Sequence, residues 1–499
     1  MSNHLFDALL AARTHADGAL FVQNGKQVLG DSEFFNLSAR LSSVLLAAQV
    51  QPGDRVAVQL QKSIEALALY VACLRVGAVF LPLNTAYTQN ELQYFIEDAT
   101  PQVFIVDPGK ESMAHQLLDA NRVLTLSSDS QGSLALAARK APPMQHVVPR
   151  SAHDLAAILY TSGTTGRSKG AMLTHDNLLS NAITLVKYWS FTAEDVLLHA
   201  LPIFHTHGLF VASNVMLLCG GSMIFQPKFD LDNVIEELPH ATTMMGVPTF
   251  YTRLLLDDRF TGELVAHMRL FISGSAPLLT ETHRAFDART GQCILERYGM
   301  TETNMNTSNP YSGERIAGTV GHPLPGISVR VCDQQSHAPL AAGEVGMLHV
   351  KGPNVFSGYW QMPEKTAEEL LPDGYFITGD LATIDDEGYV TIVGRSKDLI
   401  ISGGYNIYPK EVELIIDELE GVIESAVVGV PHADFGEAVV AIIVVDPNAS
   451  VVPDKSAMLD ELAGKLARFK LPKRMEFETE LPRNAMGKVQ KNVLREQYA

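Results

Sequence analysis

The chain has 499 residues, too many for one ordinary core, so roughly two to four domains are expected. Its 46% hydrophobic and 19% charged content excludes an intrinsically disordered chain, and the formal net charge of −18 opposes non-specific binding to nucleic acid or anionic lipid. Cys73, Cys219, Cys293 and Cys332 are scattered with no C-x-x-C pair, which argues against a zinc site or disulfide framework and points to a reducing compartment, the cytoplasm. The opening MSNHLFDALLAARTHADG lacks the basic and apolar regions of a secretory signal. RVAVQL (55–60), AVFLPL (78–83), VFIV (103–106), LAAILYT (155–161), MIFQP (223–227), MRLFISG (268–274) and MLHVKG (347–352) read as strands. Between them, stretches such as SIEALALYVACLRVG carry apolar residues at helical spacing and end in glycine. Strand–helix alternation predicts a largely parallel α/β body, with the proline-bearing segment 137–153 as an internal linker. The apolar stretch from Gly208 to Pro227 is broken by Asn214 and Gly220-Gly221-Ser222, which predicts buried helix and strand and no membrane span. Beyond about Gly394 the texture changes to a small α+β unit: VELIIDELEGV as helix, ESAVVGVP and EAVVAIIVVDP as strands, then a basic helical end. From Lys465 onward nine Lys/Arg stand against four Glu, a local excess suited to a polyanion such as a nucleotide or coenzyme A.

TSGTTGRSKG, Thr161 to Gly170, directly follows the strand LAAILY. Gly163, Gly166 and Gly170 let backbone approach a ligand; Thr161, Ser162, Thr164 and Thr165 supply hydroxyls, and Lys169 a positive charge. A polyphosphate-cradling loop needs these groups. G-x-x-x-x-G-K-[ST] cannot be laid on it, so it is not a Walker A loop. Gly166 to Gly170 also fits G-x-S-x-G, the serine-hydrolase elbow. That elbow needs its serine at a strand end, whereas seven residues separate Tyr160 from Ser168.

With ERYGMTE (296–302), YFITGD (375–380), GRSKDLIISGGYNIYPKEVE (394–413) and LPRNAMGKV (481–489), this loop resembles the acyl-/aryl-CoA synthetase, adenylation-domain and luciferase superfamily, its motifs in the family's order. The resemblance implies a large N-terminal α/β domain, 1–394, and a small mobile α+β C-terminal domain, 395–499. It implies ATP and coenzyme A as co-substrates and Mg²⁺ as cofactor. It places ATP or AMP against Thr161, Ser162, Gly163, Thr164, Thr165, Gly166 and Lys169. Gly274, Ser275 and Ala276 would line the base, and Glu296, Arg297, Tyr298, Gly299 and Met300 belong to the same nucleotide segment, with Tyr298 stacked on adenine. Thr301 would hydrogen-bond the phosphate, and Glu302, with Thr165, would hold Mg²⁺, a hard cation that takes oxygen ligands beside phosphates. Asp380 would accept the ribose hydroxyls, with Arg395 nearby. Lys488 would steady the α-phosphate and carboxylate oxygens as the adenylate forms, a positive charge where negative charge develops. Lys397 would act as hinge, and Ser402-Gly403-Gly404 would admit the pantetheine arm of coenzyme A. An acyltransferase acting on Lys488 would remove its charge and switch the enzyme off.

The acid is suggested by FHTHG (204–208) and SGSAPLLTETHRAF (273–286). LLTETHRAFDARTG reads as a helix with Thr280 as N-cap and Gly291 past its end, which puts Arg284 one turn in. A dicarboxylate substrate needs a cation in its acyl pocket, because an unpaired buried carboxylate is costly, and arginine offers a matching planar fork. Arg284, Ser273, Ser275 and His207 are the expected carboxylate ligands. SGSAP with the following His-Arg, and GMTETNMNTSNP (299–310), resemble the malonyl-CoA synthetase branch of the family. Malonate, or methylmalonate, is therefore the expected acid. Oxalate, acetate, a short fatty acid, or transfer to a carrier protein remain the alternatives. An H-x-H metal site at His205 and His207 lacks a third ligand nearby in sequence.

Overall fold

The apolar runs become strands buried on both faces. Val103–Val106 and Val79–Pro82 are buried at every position, as strands covered by helices on either side of a parallel sheet must be. The structure, a computed structural model, describes residues 2–11, 13, 18–161, 168–402, 405–432, 435–446, 454–484 and 487–499. A six-stranded sheet runs in the order Val123–Thr125, Val103–Val106, Arg55–Gln59, Val79–Pro82, Leu155–Thr161, Lys169–Thr174, parallel except for the last pair. A nine-stranded sheet contains the parallel neighbours Leu295–Met300, Leu270–Ser273, Thr243–Gly246, Val196–His199 and Ser222–Phe225. The helix Ile64–Val76 is buried from Ala66 to Val76. Ser63 Oγ accepts from the Ala66 amide at its start, and Gly77 closes it in the left-handed conformation.

Segment 137–153 is less free than a linker. The helix Ser133–Lys140 takes its first residues, and the Met144 and Val148 amides bond the Ala39 and Arg75 carbonyls. The run from Gly208 opens in a π-helix, His207–Ser213, followed by the short α-helix Asn214–Cys219. Nothing in the apolar pattern marks the i→i+5 turn, which recurs at functional sites. A Cβ on Gly208 would stand 2.0 Å from the Pro202 carbonyl oxygen, so the chain can only cross there as glycine. The helix after Ser273 is Thr280–Thr290, with Leu279 at the N-cap and no side-chain cap. Thr280 is therefore its first helical residue instead of its cap, while Gly291 does end it with φ +70°.

Later residues build two further sheets. Ser328–Cys332, Gly346–Lys351, Phe376–Ile384 and Val390–Arg395 form an antiparallel four-stranded sheet. In the last, Val422–His432 and Ile400–Ser402 flank Gly436–Val445 antiparallel, and Arg474–Glu478 runs parallel to it. Two hydrophobic clusters draw all their fully buried members from residue 400 onward. No described helix is long and apolar enough to cross a membrane.

The parallel strands of the nine-stranded sheet end side by side at His199, Gly246 and Ser273, and ligands of such sheets bind beyond the strands' carboxyl ends. There Leu295–Met300 turns back on Asn304–Ser308, pairing Met300 with Asn304. A Cβ on Gly299 would lie 1.9 Å from the Asn304 carbonyl oxygen. Gly299→Ala should therefore open this hairpin and destabilise the protein by about 1–3 kcal/mol or more. An unchanged Tm in scanning calorimetry would contradict that.

Candidate active site

Consecutive residues of an extended strand face opposite ways. On Leu295–Met300 this alternation sets Arg297 apart from Glu296 and Tyr298. Glu296 is buried, bonded to His283 Nδ1 at 3.2 Å and to the Gly318 amide at 3.2 Å. Burial raises its carboxyl pKa, with His283 opposing. Glu296 thus ties the helix Thr280–Thr290 to the strand, and its carboxylate is engaged by protein. Tyr298 donates its hydroxyl to Asp380 Oδ2 at 2.5 Å. Asp380 is 4% exposed, and Arg395 Nε lies 2.9 Å from its other oxygen; the two are cross-strand partners. The phenol pKa is pushed far up by burial first and by the Asp380 charge second. The Asp380 charge also raises the Arg395 pKa. Between Glu296 and Tyr298, Arg297 is 3% exposed, its guanidinium laid over Gly274, where a Cβ would stand 2.3 Å from Cζ.

Glu302 follows at the hairpin tip, 6% exposed. Thr161 Oγ1 lies 3.4 Å and the Tyr359 hydroxyl 3.2 Å from its Oε1. That hydroxyl has one hydrogen and sits closer to Glu369, at 2.7 Å. The Glu302 carboxylate is therefore short of donors, which suits a Mg²⁺ held mainly by phosphates with a single carboxylate. Among the described residues there is no cluster of three or more metal-binding acids, cysteines or histidines. Lys169 stands 3.2 Å from Glu369 and 3.0 Å from the Tyr359 hydroxyl, so its charge is already compensated. Tyr359 and Glu369 were not legible in the sequence: neither lies in a recognisable motif, and only the fold brings them to Lys169. Ser162, Gly163, Thr164, Thr165 and Gly166 lie outside the described residues, as do Gly403 and Gly404. The flanks are clear, with Thr161 and Lys169 paired across antiparallel strands. Ser402 is buried in Ile400–Ser402, and Lys397 is exposed in the 3₁₀ turn Ser396–Asp398.

Lys488 comes from the far end of the chain. The Gly487 Cα faces Thr249 of the large body, and the Lys488 amide bonds Asn484 Oδ1 at 3.0 Å. Lys488 is reached by water, yet enough protein surrounds its ammonium to lower its pKa. Burial contributes most, then repulsion from Arg395, against attraction by Asp380 and Glu302. Half-buried His205, beside it, has its pKa lowered to about 3, by burial first and then by Lys488. His205 is therefore neutral at neutral pH. The structure thus brings Tyr298, Glu302, Asp380, Arg395 and Lys488 within electrostatic reach of one another, while Thr301 is half-buried beside them.

A second group adjoins this one. His207 opens the π-helix, 3% exposed, its Nδ1 3.1 Å from Ser275 Oγ. Ser275 holds φ at +71°, an uncommon conformation for a residue other than glycine. Half-buried Ala276 follows, and Ser273 precedes them, 1% exposed. Ser273 Oγ and His207 Nε2 are buried without a hydrogen-bond partner. Arg284 is exposed, and among the described residues no ion pair or hydrogen bond engages it. The expectation of an enclosed Arg284 is corrected here: the helix buries Thr282, His283, Phe286 and Thr290, and Arg284 lies off that face.

Residues 10–360 match the AMP-binding enzyme family, and residues 411–488 match the AMP-binding enzyme C-terminal domain. The chain is similar to the ATP-bound crystal structure of MatB from Rhodopseudomonas palustris, with 56% identity, 100% of this chain and 99% of that one covered, and a TM-score of 0.97. The apo structure of the same MatB superposes with a TM-score of 0.86. It is also similar to a feruloyl-CoA synthase from Amycolatopsis sp, 36% identical over 96% of each chain. A malonate–CoA ligase from Arabidopsis thaliana is 34% identical, with 89% of this chain and 78% of the relative covered.

Asp380 holds both Tyr298 and Arg395, so Asp380→Asn should weaken ATP binding by about one to two decades, the scale of one charge-assisted hydrogen bond. Equilibrium dialysis with ATP giving an unchanged Kd would remove Asp380 from the nucleotide site.

Proposed function

The chain belongs to the AMP-binding enzyme family, and we propose that it ligates malonate to coenzyme A through a malonyl-adenylate, releasing pyrophosphate and then AMP. The likeness to MatB and to the Arabidopsis malonate–CoA ligase supports this reading. The observation that carries its dicarboxylate half is the polar lining beside the nucleotide group: His207 on Ser275, with Ser273 Oγ and His207 Nε2 buried and unpartnered. A pocket for an apolar acyl chain gains nothing from such groups and loses their hydration.

In the first half-reaction a malonate oxygen attacks the α-phosphorus and the bond to pyrophosphate breaks. Lys488 faces the oxygens on which charge accumulates, while Asp380, Arg395 and Tyr298 fix the nucleoside. Mg²⁺ at Glu302, with Thr165 as a further oxygen ligand, would neutralise the departing phosphates. In the second half-reaction the sulfur of coenzyme A adds to the acyl carbonyl and AMP leaves. We assign the rotation between the two states to the junction of 1–394 with 395–499, with Lys397 as hinge and Ser402-Gly403-Gly404 along the thiol's path. The likeness to ATP-bound over apo MatB supports the adenylate-forming arrangement. The unpaired, scattered cysteines support a cytoplasmic location. Pyrophosphate release with malonate, methylmalonate, succinate, oxalate, acetate and ferulate tests the substrate. Turnover of ferulate or acetate in preference to the small diacids overturns the reading.

Lys488→Ala should slow malonyl-adenylate formation by about two to three decades, the usual loss for one oxyanion-type donor. Given preformed malonyl-adenylate and coenzyme A, the variant should make thioester at a near-normal rate; equal losses in both steps contradict the two-state division. Exposure of Lys488 and its lowered amine pKa also suit acylation by a lysine acyltransferase, which would block only the first step. For Arg284 the exposed setting sets the scale. Arg284→Ala should reduce kcat/KM for malonate by about tenfold or less, since exposed ion pairs contribute about 0–1 kcal/mol. That loss should shrink in 0.5 M salt; a salt-independent loss of a thousandfold would mean that the helix encloses Arg284 when substrate binds.

A further inference from the structure

Lys62 is a buried amine without a counter-anion. It is 6% exposed, burial lowers its pKa far below the usual value, and among the described residues no carboxylate pairs with it. It follows the strand Arg55–Gln59 of the six-stranded sheet, yet it reaches His199, which ends Val196–His199 in the nine-stranded sheet. Its Nζ lies 2.8 Å from His199 Nδ1, 2.6 Å from the His199 carbonyl oxygen and 4.1 Å from the centre of the Phe225 ring. An enclosed amine with no anion is costly, and a methionine would fill much the same space without that cost. Packing alone therefore does not account for a lysine here.

The hydrogen bonds run on from His199 to the acyl side of the site. His199 Nε2 lies 2.9 Å from the Gly208 carbonyl oxygen, which can only accept. Nε2 therefore carries the proton of the neutral ring, and Nδ1 is left to accept from Lys62. Burial first, and then the Lys62 charge, lower the His199 pKa far below its usual value, so the ring stays neutral. Gly208 stands in the first turn of the π-helix His207–Ser213, and its carbonyl also takes the Ser213 hydroxyl at 2.9 Å. The π turn is a rare conformation, and the His199 ring supplies it with a bond from outside the helix. His207, next to Gly208, is the residue whose Nδ1 meets Ser275 Oγ at 3.1 Å.

We propose that Lys62 is a positioning residue for the acid: by orienting His199 it pins the Gly208 carbonyl and so sets His207 against Ser275. This rests on the reading that the acid binds beside His207. Lys62 itself is enclosed and acts only through His199. A plain bolt between the two sheets is the competing role, and the two differ in effect. A bolt changes the stability of the body, whereas a positioning residue changes how the acid is held.

The test measures Lys62→Met, His199→Phe and the double variant with malonate in pyrophosphate release, alongside ATP affinity by equilibrium dialysis and Tm. Lys62→Met should raise KM for malonate about tenfold, the scale of one hydrogen bond, with kcat within about threefold and the Kd for ATP unchanged. Its Tm should hold or rise, since an apolar chain replaces an unpaired buried amine. The double variant should lose no more than His199→Phe alone, because both changes act through one ring. His199→Gln, which keeps a donor toward Gly208, should recover part of the His199→Phe loss. Nitrogen NMR spectra of the histidine rings, which need no acid, should show the His199 proton on Nε2 and a shifted His207 ring in Lys62→Met. Additive losses, a lowered Tm with an unchanged KM, or an unmoved His207 ring overturn the proposal and leave Lys62 a bolt between sheets. If Lys62→Met does not fold, Lys62→Gln, a shorter donor, should raise KM about threefold, and an unchanged KM overturns the proposal. A wild type that turns over another small acid in place of malonate overturns the malonate reading alone, and the same comparison then decides Lys62 with that acid.

Discussion

Asp380 is the group on which the rest of the site depends. One oxygen takes the Tyr298 hydroxyl and the other the Arg395 guanidinium, so a single buried carboxylate joins the strand that carries the nucleotide motif to the strand that leads out of the body. Just beyond Arg395 lies the turn Ser396–Asp398, and Arg495 of the terminal helix reaches Asp398 at 2.6 Å. The last helix is thereby tied to the same short stretch of chain. The two ion pairs, Asp380–Arg395 and Asp398–Arg495, thus lie within a few residues of each other along the chain.

Lys488 stands in the same electrostatic neighbourhood although it comes from near the chain end. Lys488 lies on an exposed loop, where a lone ammonium is ordinarily screened by water. Here Asp380 and Glu302 attract it while Arg395 and Arg297 repel it. Burial and the two guanidinium groups outweigh the attraction, and its pKa is lowered. His205, kept neutral by burial, adds no third cation.

Much of the architecture was legible because buried parallel strands read as uninterrupted apolar runs, as VFIV and LAAILYT do, and because glycine marks helix ends, as Gly77 and Gly291 do. The π-helix at His207 was not, since its turn depends on Gly208 crossing the Pro202 carbonyl. Among candidate site residues, Tyr298, Glu302, Asp380, Arg395 and Lys488 came from motif order, and the fold places them together. Lys169 was read as a free charge because the sequence cannot show Glu369 facing it. The exposure of Arg284 has a different reason: the buried positions of its own helix, His283 and Phe286 with Thr290, define a face that excludes it. Arg297 and Tyr298 are neighbours in one motif, yet strand alternation sends their side chains apart.

Some of the buried unsatisfied groups lie near the nucleotide motif, others elsewhere in the body. His205 Nε2, Thr206 Oγ1, His207 Nε2, Ser273 Oγ and two nitrogens of Arg297 are all buried without partners. Leaving such a group without any partner costs about 1–3 kcal/mol. A substrate that satisfies them recovers that free energy on binding, and an acid that cannot leaves them as they were. Discrimination then does not require a clash with the wrong acid. It follows from polarity built into the fold before any ligand arrives.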